Sequence, residues 1–201
     1  MSARTDLTMS DVFRDLPELR TERTRLRKIR PDDAADLFAY GSDPDVSRFV
    51  GWDTHQSISD AEAFVEATLA KYEAGQLADW GIEHRAEGRF IGTVGYLWWE
   101  THEAAAEIGY VLARPYWGRG LMTEVVREVV CFGWEIMGLN RIQAHTEDEN
   151  IGSQRVLQKC GMQYEGRLRE RVHSDEKGFV DLLLYAALRR DRAGGEQRRW
   201  K

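Results

Sequence analysis

Between residues 61 and 72 the apolar side chains fall on one face of a helix. Ala61, Phe64, Val65, Thr68, Leu69 and Tyr72 recur at three- and four-residue spacings. Ser59-Asp-Ala-Glu62 reads as a capping box at its start, and Gly75 closes it. The period then changes to two. Residues 79–84, 90–98 and 105–113 read as strands, and their short connections make them antiparallel neighbours. Residues 121–137 return to helical spacing. Leu121, Val125, Val129, Phe132 and Ile136 form one stripe, with Met122, Val126, Val130 and Met137 beside it, so this helix is buried over a wide face and ends at Gly138. Residues 141–146 predict a strand, 150–160 a helix stopped by Gly161, and 163–172 with 179–188 a closing antiparallel pair around Glu176-Lys177-Gly178. Upstream, 24–29 reads as a strand. Pro31, Asp32 and Asp33 open a helix that ends at Gly41. A loop over 49–55 holds Trp52, and residues 10–15 suggest a short helix in an N-terminal extension.

The element order β-α-α-β-β-β-α-β-α-β-β predicts an α+β fold, mixed in its α/β arrangement. Its sheet has about seven mostly antiparallel strands. A central parallel strand–helix–strand crossover spans 105–146, right-handed by the general rule, with helices on the flanks. No repeat or linker divides the chain, so one domain over 21–189 is expected, with an extension at 1–20 and a basic tail at 190–201. A length of 201 residues, 42% hydrophobic and 31% charged, suits one globular core. The apolar runs fall short of the roughly 20 residues of a membrane span, and the first 20 residues lack the apolar segment of a secretory signal. Cys131 and Cys160 form no CxxC pair and read as reduced structural thiols, which suggests a cytoplasmic protein. The five His show no metal-binding spacing. A net charge of −6 weighs against nucleic acid and suits a cationic partner such as an amine; the basic tail reads as solvated.

Chemistry is concentrated at 108–123, where a strand runs through Trp117-Gly118-Arg119-Gly120 into the long helix that opens with Leu121-Met122-Thr123. The first N–H groups of a helix lack intrahelical partners, and two glycines let the backbone turn tightly against a ligand. Those amides and the helix dipole suit a pyrophosphate, with Arg119 as an added cation. A lone Gly-x-Gly is weak by itself, but its rivals fare worse. There is no Gly-Lys-Ser/Thr, and Thr123 stands where a dinucleotide fingerprint has its third glycine.

Five segments in order then carry a resemblance. Thr-Glu-Arg-Thr-Arg-Leu-Arg (21–27), Phe-Ile-Gly-Thr-Val-Gly (90–95), Ala-Glu-Ile-Gly-Tyr (106–110), Tyr-Trp-Gly-Arg-Gly-Leu-Met-Thr-Glu (116–124), and Asn-Ile-Gly-Ser (150–153) with Lys-Cys-Gly (159–161) resemble the Gcn5-related N-acetyltransferase (GNAT) superfamily. The chain is most similar there to the RimJ/RimL-like branch of ribosomal-protein N-terminal acetyltransferases. It departs from the family pattern at Pro115, which puts one side-chain contact to phosphate in doubt but not the backbone site. The resemblance implies acetyl-CoA as donor and an amine as acceptor. The backbone of Tyr110, Val111 and Leu112 would hold the pantetheine arm, residues 117–123 the pyrophosphate, and Asn150 a further pantetheine contact besides its helix cap. Glu107 is the first candidate for the base, with Glu83 and Glu100 as weaker rivals. The tyrosine that many members use as proton donor falls at Leu157, so Ser153 is the candidate partner of the leaving thiolate. The acceptor stays open among a protein N-terminal α-amine, a polyamine, an antibiotic and other small amines. A non-catalytic CoA-binding module is the alternative from another class, and a homodimer is one compatible assembly.

Overall fold

The computed structural model describes residues 8–174 and 177–193; Glu176 of the predicted turn and most of the basic tail lie outside them. In chain order the elements are α1 (Met9–Phe13), β1 (Leu19–Arg20), β2 (Thr24–Arg27), α2 (Ala34–Gly41), α3 (Pro44–Ser47), α4 (Ile58–Ala74), β3 (Trp80–His84), β4 (Arg89–Glu100), β5 (Ala105–Leu112), α5 (Leu121–Glu135), β6 (Arg141–Glu147), α6 (Ile151–Lys159), β7 (Gln163–Ser174), β8 (Gly178–Leu188) and α7 (Arg189–Ala193). They build one eight-stranded sheet in the order β1-β2-β3-β4-β5-β6-β8-β7. Every adjacent pair is antiparallel except β5 and β6, which α5 connects. This is the mixed sheet with a central parallel crossover that the element order predicts.

The differences from the sequence pattern are local. The eighth strand, β1, is two residues long and pairs Leu19 with Leu26 and Arg20 with Arg25. A two-residue strand carries no readable period. The cap predicted at Ser59 and Glu62 lies two residues earlier, because Ser57 is extended and the Asp60 carboxylate accepts from the Gln56 and Ser57 amides. An Asp at the third helical position serves there as a Glu would. The segment before the Trp52 loop contains a further helix, α3, capped by the Asp43 carboxylate on the Asp45 amide.

The core lies between the sheet and its helices. The long apolar face of α5 supplies Leu121, Val125, Val126, Val129 and Val130, all buried. Phe132 meets Trp80 edge-on at 5.4 Å, and the Tyr96 hydroxyl donates to the Val129 carbonyl at 2.7 Å. On β2, Arg27 is buried but paired. Its guanidinium donates to both Asp33 oxygens at 2.7 Å and to Glu83 at 2.6 Å, which removes the cost of an isolated buried charge.

The N-terminal segment also contributes. Phe13 on α1 is fully buried and contacts the Trp80, Tyr96 and Trp99 rings at 6.3–6.4 Å. Truncating such a residue costs about 3–5 kcal/mol. Phe13→Ala is therefore expected to lower the melting temperature by roughly 6–15 °C, on the entropy of unfolding usual for this size. Differential scanning calorimetry checks this. A drop below about 3 °C would mean that α1 does not close the core.

Candidate functional site

The cleft originates where β5 and β6 part. These strands pair only at Ala105↔Arg141, Ala106↔Ile142 and Glu107↔Gln143. β5 remains paired to β4 as far as Gly92↔Leu112, and β6 to β8 as far as Glu147↔Leu182. From Ile108 onward the side of β5 that faces β6 is thus an open strand edge. A cavity of about 750 Å³ follows this gap from the N-terminus of α5 to Trp52 and Phe64.

At one end lies the glycine turn. Gly118 has φ 71° and Gly120 φ 80°, both left-handed, which glycine adopts at no steric cost. A Cβ built at Gly118 would meet no atom within 4 Å; at Gly120 the nearest is Arg23 Nη2 at 3.5 Å. Gly120 is the N-cap of α5 and has no side chain to accept from the first amides of that helix. Gly118, Gly120, Leu121, Met122 and Thr123 all line the cavity. Arg119 stacks on the Tyr116 ring at 5.5 Å. The Trp117 indole donates to the Leu112 carbonyl at 2.6 Å, which leaves its ring face partly exposed and occupies that one carbonyl of β5. Pro115 lies in a 3-10 turn over Arg114–Tyr116, and Arg114 is held away by Asp43 and Asp45. Arg155 and Lys159 on α6 also line the cavity; their four-residue spacing was a readable sign of a cationic helix face.

On α6, Asn150 Oδ1 accepts from the Ser153 amide at 3.0 Å, so it caps the helix. Ser153 Oγ lies 2.9 Å from the Tyr110 hydroxyl. Burial raises the Tyr110 phenol far above its ordinary pKa, so it remains a protonated hydrogen-bond partner. Tyr110 thus offers the site a side chain as well as backbone. Leu157 is fully buried.

At the middle of the sheet a carboxylate and an imidazole meet. Glu107 Oε1 is 2.9 Å from His145 Nδ1, and Oε2 accepts from Trp98 Nε1 at 3.0 Å and Gln143 Nε2 at 3.1 Å. Both Glu107 and His145 line the cavity, with side chains 13% and 14% exposed. Burial pushes the Glu107 carboxyl up, but the donors His145, Gln143 and Trp98, together with the His145 charge, outweigh it and hold it below the usual carboxylate value. Glu107 is therefore a poor acceptor of a further proton. The rival carboxylates lie elsewhere: Glu83 is engaged by Arg27 and Arg25, and Glu100 takes the His102 amide. His145 was legible in one respect only. On β6 the partly exposed Arg141, Gln143 and His145 alternate with buried Ile142, Ala144 and Thr146, which puts His145 on the Gln143 face, beside Glu107.

An open β5 edge running into an uncapped, glycine-turned helix N-terminus agrees with the comparison to known proteins. A sequence model of the acetyltransferase (GNAT) domain matches residues 23–163. The chain belongs to the GNAT acetyltransferase family. It is an N-acetyltransferase, and its acetyl donor is acetyl-CoA. Among GNAT relatives, the uncharacterized N-acetyltransferase YoaA of Bacillus subtilis is 36% identical over 173 residues, covering 86% of this chain and 97% of that one. The protein p20 of Bacillus licheniformis, likewise described as an N-acetyltransferase, is 33% identical over 177 residues, 88% and 98% of the two chains. A GNAT-family acetyltransferase structure from Bacillus anthracis superposes with a TM-score of 0.76 at 25% identity, covering 86% and 98%. RimJ of Mycobacterium smegmatis, solved with CoA-disulfide, has a TM-score of 0.74 at 23% identity, over 84% and 83%, so the RimJ/RimL likeness extends to the fold. Among the described residues no helix is long and apolar enough to cross a membrane, and no group of three His, Cys, Asp or Glu side chains is placed to hold a metal.

Proposed function

We propose that this GNAT enzyme acetylates a primary amine by direct transfer, with His145 as the base and Glu107 as the residue that positions it. The observation that carries this is the Glu107–His145 pair inside the cleft. Three donors converge on the Glu107 carboxylate, and its contact at Nδ1 leaves Nε2 as the imidazole's proton-accepting atom.

Acetyl-CoA supplies an acyl thioester as the group to be transferred. The open edge of β5 at Tyr110 and Val111 fits an extended amide-bearing arm, added like a strand. The amides at 118–123 and the cations Arg119, Arg155 and Lys159 suit its phosphates. His145 accepts the proton that the amine loses as its nitrogen bonds the acetyl carbon and the carbon–sulfur bond breaks. Ser153, within reach of Tyr110, donates to the sulfur that leaves; the thiol is completed by a proton from water as His145 releases its own. Asn150 acts on this step by holding the first turn of α6.

The acceptor we favour is an α-amine at a peptide N-terminus, because such amines have ordinary pKa values near 8 and need only weak base assistance. The likeness to RimJ, and to a RimL solved with coenzyme A and described as a ribosomal L7/L12 alpha-N-protein acetyltransferase, supports that reading. The test incubates the protein with [¹⁴C]acetyl-CoA and a panel of peptides, polyamines and aminoglycosides, and identifies the acetylated product by mass spectrometry. Hydrolysis of acetyl-CoA without any labelled amine would refute the assignment.

Ser153→Ala is expected to lower kcat by about 10-fold, the worth of one hydrogen bond to a developing anion, while the Kd for CoA moves less than about 2-fold. Stopped-flow turnover beside calorimetric CoA titration separates the two. Equal losses in both would assign Ser153 to binding alone.

A further inference from the structure

The acceptor end of the cleft contains a carboxylate that the transfer chemistry leaves unused. Asp79 immediately precedes β3. Trp80 pairs with Val94, which sets Asp79 beside Gly95, and Gly95 in turn pairs with Gly109. A Cβ built at Gly95 would lie 2.0 Å from Asp79 Oδ1. The carboxylate therefore lies flat over a position that only glycine leaves vacant. Asp79 and Gly109 both line the cavity, as do Glu107 and His145. The Asp79 carboxylate lies over Gly95 and the Leu97 side chain over Gly109, where a built Cβ would meet Leu97 Cδ2 at 3.0 Å, so Leu97 covers the strip of β4 and β5 between Asp79 and His145.

The lining carries both signs of charge: the cations Arg155 and Lys159, and four carboxylates, Asp45, Asp79, Glu107 and Glu149. Arg114 holds Asp45, Arg48 holds Glu149, and His145 holds Glu107. Asp79 alone of the four is held by no side-chain hydrogen bond or ion pair among the described residues. Burial pushes its carboxyl up to about 6, with the charge of Lys71 pulling it down. Desolvation without a counter-ion in contact is the condition that a ligand cation would relieve. Trp52 and Phe64 line the cavity too, and aromatic faces accept cations as well as methylene chains.

We infer that the acceptor carries a second cationic group, which Asp79 binds across the Leu97-covered strip from the reacting nitrogen. This rests on the transfer reading above and adds to it the chemical class of the substrate. Two paired strand spacings and the opened β5–β6 gap separate Asp79 from His145, at least about 14 Å between backbones, and inward-leaning side chains leave roughly 10 Å or more between the two nitrogens. That span fits a long diamine, or a peptide whose N-terminal amine is followed by a lysine or arginine. It is too long for an amine and a cation on adjacent carbons.

The experiment has two substrate arms. In one, 1,8-diaminooctane is compared with octylamine; in the other, Ala-Lys-Ala amide with Ala-norleucine-Ala amide, which differ by one ammonium group. The native protein is expected to prefer the dication by about 10–100-fold in kcat/KM, through KM, in at least one arm. Preference in the first arm alone identifies a small polyamine; in the second alone, a basic peptide. In Asp79→Asn, which keeps shape and removes the charge, the ratio of dication to monocation is expected to collapse toward one while kcat for the dication is retained. Calorimetric titration of each dication into the CoA-loaded protein reads the same site without turnover, with about 10-fold weaker binding expected in Asp79→Asn. Binding that depends on Asp79 without acetylation would refute the transfer reading and keep this site. Acetylation with no dication preference in either arm, or a preference that survives in Asp79→Asn, overturns the inference.

Discussion

His145→Gln is expected to lower kcat/KM for a strongly basic alkylamine by about 10²–10³-fold, with the Kd for CoA within about 2-fold of the native value. Glutamine retains a hydrogen-bonding amide opposite Glu107 but cannot take up a proton. The effect should be largest for the amine that most needs deprotonation. An α-amine, already partly neutral near pH 8, is expected to lose only about 10-fold. The comparison between amines distinguishes a base from a packing residue, because a packing residue would cost both amines alike. Glu107→Gln is the companion variant. It leaves the imidazole in place but sets an amide against three donors, Trp98, Gln143 and His145. Its kcat is expected to fall about 10-fold, less than in His145→Gln, as suits a residue that acts through another. A loss in His145→Gln that is equal for both amines would return the base role to another group.

The pair at the centre of that prediction marks where sequence reading runs out. The architecture was legible because its long elements carry strong periods: α5 shows two apolar stripes, and β3, β4 and β5 are bounded by turn residues with short connections. The glycine turn was legible because positive φ at 118 and 120 demands a residue type that shows in the sequence. Glu107 and His145 are 38 positions apart, and nothing local in the chain announces their contact. It follows from the register of one three-residue parallel ladder, Glu107↔Gln143, and register is fixed by the packing of both strands together. Asp79 escapes for a related reason. An aspartate before a strand reads as a turn residue, and only its seat over Gly95 on the neighbouring strand makes it part of a cleft. The Tyr110 hydroxyl on β5 reaches Ser153 on α6, 43 positions later, another contact set by tertiary geometry. Short elements failed on different grounds. β1 and α3 are too brief for periodicity, and the cap of α4 shifted because Asp60 serves where Glu62 was the better match to the pattern.

Gly118→Asp is expected to raise the Kd for CoA by about 100-fold and the KM for acetyl-CoA similarly. Two terms act at that position. Strain is the smaller: Asp tolerates the left-handed region better than most residues, at a cost of about 1 kcal/mol in stability. The built Cβ meets no atom within 4 Å, so no clash is added, and the melting temperature should fall only about 2–4 °C. Charge is the larger. The new carboxylate would sit among the amides at 118–123, where the helix dipole and the nearby cations favour a bound anion. It would both occupy those donors and repel a diphosphate. Two unit charges about 4 Å apart at a partly exposed site interact by up to about 4 kcal/mol, enough to account for a 100-fold loss. Gly118→Asn removes the charge and keeps the shape, and is expected to lose less than about 10-fold. Gly88→Asp supplies the strain control, since Gly88 has φ 65°, has nothing within 4 Å of its built Cβ, and lies off the cleft lining. It should cost similar stability and leave CoA binding alone. Calorimetric titrations at low and high salt complete the case: the gap between the Asp and Asn variants should narrow as salt rises, because a charge at an open cleft is screened. A Gly118→Asp protein that melts within a few degrees of the native one and binds CoA within about 3-fold would show that the amides of this turn do not hold the diphosphate.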